Sequence, residues 1–198
     1  MAPKSPEKQS RKQQILQALV SELEHNPGQR ITTASLAKAV GVSEAALYRH
    51  FPSKAKMFEA IIDFCEESVF GLIQQIIQNE KNIFSRCQHM GSAILLFASR
   101  NPGICRILLG NALVGEHERL LKRVDQFFQR IETQLKQLLR EAELSKELHY
   151  SGKSHIYADL IVAIIEGQIS EYVRTSFRSE PEKNWKEQWM VIQEGLKG

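Results

Sequence analysis

The sequence predicts an all-α fold in two parts: a small N-terminal helical unit followed by a larger helical bundle. Three observations predict it. Apolar residues recur every three or four positions along nearly the whole chain, no segment alternates with a period of two, and proline and glycine fall where helices should stop. With 198 residues, 42% of them hydrophobic, the chain has material for a substantial core.

The elements follow in order. Residues 1–9 are polar and carry prolines, which predicts a disordered tail. Ile15, Leu16, Leu19, Val20 and Leu23 give a first helix over 10–24, ended near Pro27-Gly28. Ile31 turns back to the core. Thr32 or Thr33 caps a second helix to about residue 40, and Gly41 suits a left-handed end. Ser43 caps a third helix to about 50, and Pro52-Ser53 restarts the chain. Beyond that point helices are expected over 54–79, 82–101, 103–110, 115–145, 155–177 and 183–196. On the first of these, Phe58, Ile62, Cys65, Val69, Leu72 and Ile76 form one stripe, with Phe64 and Phe70 on its flanks. The expected organisation is a tail at 1–9, a helix-turn-helix domain at 10–54 and a core domain at 55–198.

Several classes are excluded. The longest apolar runs, at 94–98 and 160–165, are too short to span a bilayer, and the N-terminus has no apolar signal core. Cys65, Cys87 and Cys105 are odd in number and lack a C-x-x-C pair, so buried free thiols are expected. The six histidines are scattered, and no nucleophile–base pairing or phosphate loop is evident. No metal, cofactor or enzymatic role is expected.

The net charge is +3, and it is unevenly placed: residues 1–54 carry +4 and residues 55–198 carry −1. The basic excess thus belongs to the N-terminal quarter, which also contains the segment 32–51. Ala37 is small where two helices must cross closely, Gly41 lies in the turn four residues later, and Leu47 faces inward six after that. This spacing is what a helix-turn-helix requires. The exposed side of the third helix would carry Ser43, Glu44, Tyr48, Arg49 and His50 to base edges and flanking phosphates. Helix starts at Thr32, Thr33, Ser43 and Ser53 can offer backbone N–H groups to phosphate, and Lys54 stands where it could reach the DNA backbone. The competing reading is a helical hairpin with no DNA role, in which His50 merely packs on Phe51. It explains neither the polar groups nor the basic excess.

Thr32-Thr33-Ala-x-Leu-Ala, Gly41-Val-Ser-x-Ala-x-Leu-Tyr-x-His-Phe and Ser53-Lys54 resemble the TetR family of bacterial DNA-binding proteins. That resemblance implies a homodimer of helical chains reading double-stranded, palindromic DNA. Arg100-Asn-Pro-Gly, Arg106-Ile-Leu, Gln126-Phe-Phe-Gln-Arg-Ile-Glu and Val173-Arg174 extend the likeness to the family's nucleoid-occlusion branch. Proteins of that branch antagonise the division protein FtsZ. The resemblance implies a groove for the FtsZ C-terminal tail at Phe64, Arg100 and Asn101, and a cytoplasmic, nucleoid-associated protein. Leucines at 72 and 96 stand where the branch carries arginine and glycine.

On the long helix, Leu121, Val124, Phe128, Ile131, Leu135, Leu138 and Ala142 repeat at 3–4 spacing, as either a dimer seam or a core-facing stripe. The expected dimer residues lie later, at Leu160, Ile161, Ile164, Ile165, Ile169, Tyr172 and Val173, because TetR-like dimers pair their last large helices. An alternative function is a ligand-released repressor with Tyr157 and Gln168 lining a pocket.

Overall fold

A computed structural model describes residues 10–26, 29–147 and 153–197, so the expected tail at 1–9 and the stop at Pro27-Gly28 lie outside the described residues. The helices are α1 (Arg11–His25), α2 (Thr33–Val40), α3 (Glu44–His50), α4 (Lys54–Asn79), α5 (Ile83–Arg100), α6 (Pro102–Leu108), α7 (Glu118–Leu144), α8 (Ser154–Arg174) and α9 (Trp185–Lys197). A short 3-10 turn at Asn111–Leu113 joins α6 to α7. Among the described residues there is no strand, and no helix is long and apolar enough to cross a membrane.

Local chemistry sets the helix starts. Ser10 and Gln13 form a capping box at α1, and Thr32 and Ser35 form another at α2. Thr32 is therefore the cap, and Thr33 is the first helical residue. Ser43 and Ser53 each accept a backbone N–H three residues on. Gly41 ends α2 at φ 72°, in the left-handed region where a β-carbon is costly.

Packing decides which faces are buried. Ile15, Leu19 and Leu23 of α1 meet Ile31, Leu36, Ala37 and Leu47, and this core runs on through α4 into the bundle without a break. On α4 the buried stripe includes Met57, Ile61 and Ile73, while Leu72 is exposed; the expected stripe was rotated by about one position at its far end. On α7, Val124, Phe128, Ile131, Leu135, Leu138 and Ala142 are buried within the protomer, and Leu121 is exposed. The seam is a core face, widened by Leu120, Phe127 and Leu139, because α7 packs on α4, α5 and α8. Cys65, Cys87 and Cys105 are buried free thiols.

Two contacts fasten α1 to the bundle. A β-carbon on Gly103 would lie 2.1 Å from the carbonyl oxygen of Val20, so α6 approaches α1 as closely as only glycine permits. Arg106, 6% exposed, donates through Nη1 to the carbonyls of Leu23 (2.6 Å) and Asn26 (3.2 Å) at the end of α1. A guanidinium there satisfies carbonyls that the helix leaves free and complements its dipole.

Candidate nucleic-acid and partner interfaces

The helix-turn-helix presents one polar face. Thr33 Oγ1 donates to Glu44 Oε2 (2.7 Å), and the Tyr48 hydroxyl reaches Thr33 Oγ1 at 3.5 Å. The Thr33–Glu44 bond ties the start of α2 to the outer side of α3, with Tyr48, 43% exposed, reaching toward it. Thr32, Ser43 and Arg49 are exposed beside them, and His50 is half-buried next to the buried Phe51. Leu47, on the opposite side of α3, is fully buried, so the face is set by core packing rather than by its own polar contacts.

Lys54 departs from this set. Its Nζ lies 2.7 Å from Glu116 Oε1 and 5.6 Å from the centre of the Phe58 ring, directed toward the core side of α4. The expected phosphate contact is not available to Lys54 in this arrangement, because its charge is already taken by a carboxylate.

Phe64, Arg100 and Asn101 come together on one groove of about 300 Å³. Phe64 is 49% exposed and leans on Phe97, with ring centres 6.1 Å apart. Arg100 is exposed. The Asn101 amide donates to the Phe97 carbonyl (2.7 Å), so it shapes the corner between α5 and α6. The second wall was not anticipated: Gln13, Leu16, Gln17, Val20 and Glu24 of α1 line it. α1 buries Ile15, Leu19 and Leu23 and leaves Leu16 and Val20 half-covered beside this groove. Leu72 and Leu96 are exposed on the same two helices as Phe64 and Arg100, but Leu72 lines a separate cleft with Ile76 and His89.

The expected dimer residues divide. Ile161, Ile165, Ile169 and Tyr172 are buried inside the protomer, Tyr172 with its hydroxyl on the Ser99 carbonyl (3.1 Å). They are corrected to core positions, because α8 lies against α7 and α5 on that side. Leu160 is exposed, and Ile164 and Val173 are partly so. Ile156 on α8, and Met190 and Val191 on α9, are further exposed apolar residues. Gln168 pairs with Gln188 in a polar surface cleft with Glu171 and Asn184 that Tyr157 does not line.

A paired-helix DNA reader on a helical bundle defines a TetR-type regulatory protein. Residues 15–61 match the family described as bacterial regulatory proteins, tetR family, and residues 81–197 match the family described as tetracyclin repressor-like, C-terminal domain. The fold is shared with the MbdR regulator from Azoarcus sp. CIB (TM-score 0.81, 17% identity, 94% of this chain and 99% of that one). It is also shared with the fatty acid degradation regulator FadR from Bacillus halodurans (TM-score 0.77, 14% identity, 97% and 99%). Sequence similarity is much higher to nucleoid occlusion factor SlmA of Shewanella woodyi, 54% identical over 94% of this chain and 95% of the relative. The SlmA of Marinomonas sp. is 54% identical over 97% and 98%. The chain belongs to the SlmA family of nucleoid occlusion factors.

Proposed function

We propose that this protein is a nucleoid occlusion factor: a homodimer that reads palindromic chromosomal sites and, anchored there in the cytoplasm, binds the FtsZ C-terminal tail and prevents ring assembly over the DNA. The observation that carries this reading is the 54% identity, which spans nearly the whole chain instead of stopping at the helix-turn-helix.

In the DNA step, α3 enters the major groove. Ser43, Tyr48, Arg49 and His50 face base edges and the adjoining backbone, while Thr32 and Thr33 meet phosphates at the start of α2. Glu44 acts through Thr33 and Tyr48, holding both in place. The dimer face is built from Leu160, Ile164 and Val173 of α8, with Ile156, Met190 and Val191 as its apolar neighbours. Dimerisation would set two α3 helices about 34–36 Å apart, which demands half-sites one turn apart and hence a palindrome.

In the partner step, an extended tail lays an apolar side chain on Phe64 and directs a carboxylate to Arg100, with Leu16 and Val20 closing the groove from α1. Anisotropy titration of a labelled FtsZ tail peptide tests this. Phe64→Ala and Arg100→Glu should each weaken peptide binding about tenfold or more, as anchor residues do, with DNA affinity unchanged. Peptide affinity equal to wild type in both variants would remove the groove from the reading.

A further inference from the structure

The Lys54–Glu116 pair joins two segments 62 residues apart in sequence. Lys54 opens α4, a few residues past the end of α3, and Glu116 lies on the turn leading into α7. That turn is fixed: the Glu116 N–H donates to the Leu113 carbonyl (3.0 Å), and the neighbouring Gly115 takes φ 76°. The side chains are only 17% and 12% exposed, and they line a cleft of about 400 Å³ with Arg30, Phe58 and Arg106.

We infer that Glu116 is an internal stand-in for a DNA phosphate, a carboxylate from the core that occupies Lys54 and sets DNA affinity from outside the helix-turn-helix. This rests on the reading that the start of α4 faces the DNA backbone. Carboxylate and phosphate oxygens take an ammonium at the same short distances, so the two compete for one cation. With Nζ 2.7 Å from Glu116 and the side chain largely covered, Lys54 does not extend to the duplex until the pair opens. One cost then opposes DNA: the ion pair, being partly shielded, resists salt screening and must open first. A lysine already neutralised also releases no counterion from DNA. Glu116 thus holds back one phosphate contact per protomer, and any event that moves the 109–117 turn changes DNA affinity by the same linkage.

The test uses the full-length dimer, a duplex enriched by the wild-type protein, and a scrambled duplex, over about 50–200 mM salt. Glu116→Gln and Glu116→Ala are two routes to a neutral site, and melting curves show that each variant is folded. Both should bind both duplexes about five- to tenfold tighter at low salt. The slope of log K against log salt should steepen by about 0.9 per protomer. In a Lys54→Ala background, Glu116→Gln should change neither quantity. Unchanged or weaker binding by the two single variants would overturn the inference, as would a gain that survives in Lys54→Ala. Wild-type protein that binds no duplex would instead overturn the DNA reading, and this inference with it.

Discussion

Tyr48 shows how much a single side chain depends on its neighbours. Its hydroxyl lies 3.5 Å from Thr33 Oγ1, and Thr33 in turn donates to Glu44, so an aromatic ring half in solvent has a polar neighbour that favours one orientation. A ring biased toward one orientation before binding loses less conformational freedom on contact with bases. Tyr48→Ala should therefore lose about 1–3 kcal/mol on the enriched duplex and much less on scrambled DNA, measured as paired dissociation constants. Equal losses on both duplexes would make Tyr48 a positioning contact only. Residue identity was legible at this face because Ala37, Gly41 and Leu47 fix which side of α3 is buried. Lys54 was not, because its partner Glu116 lies in a turn that carries no periodic signal.

Between elements, the seams are sealed by small buried groups. Cys65 on α4, Cys87 on α5 and Cys105 on α6 are all covered, and the Cys105 thiol donates to the Ala98 carbonyl at 3.3 Å. Burial pushes the Cys87 and Cys105 thiols up to about 12 and raises Cys65 as well. Unfolded thiols titrate near about 8.5, so above that pH the unfolded chain sheds protons that the native state retains. The stabilisation is complete below about pH 8.5 and is lost as pH rises toward the folded values, at about 1.4 kcal/mol per pH unit per thiol. In urea titrations at pH 8.5 and 10.5, wild type should lose about 2 kcal/mol more than Cys87→Ala. Equal losses in the two proteins would show that this thiol ionises freely in the native state. Helix limits were largely legible, because capping serines, Thr32, Gly41 and Pro102 act within a few residues. The faces of α7 and α8 were not. An apolar stripe has the same spacing whether it meets its own chain or a second copy, and only packing assigned Ile161, Ile165 and Ile169 to the core.

At the scale of the whole molecule, α1 is shared by the two proposed sites. It packs on α2 and α3 on one side, is clamped to α6 through Gly103 and Arg106, and supplies a wall of the Phe64 groove. Under the proposed function, a helix that packs on the helix-turn-helix and also lines the partner groove would give the two sites a common element, as coupling between them requires. The all-helical class and the paired-helix unit were legible from periodicity and turn residues. The α1 wall was not, because it joins residues about 50 to 90 positions apart. The central claim is that DNA-anchored protein restrains FtsZ, and FtsZ assembly with GTP, followed by light scattering and sedimentation, tests it most directly. The assay compares this protein alone, with the enriched palindromic duplex, and with scrambled DNA. The account predicts loss of sedimenting polymer that is strongest with the enriched duplex. Unchanged polymer under all three conditions, with DNA binding intact, would contradict it and leave a TetR-type repressor.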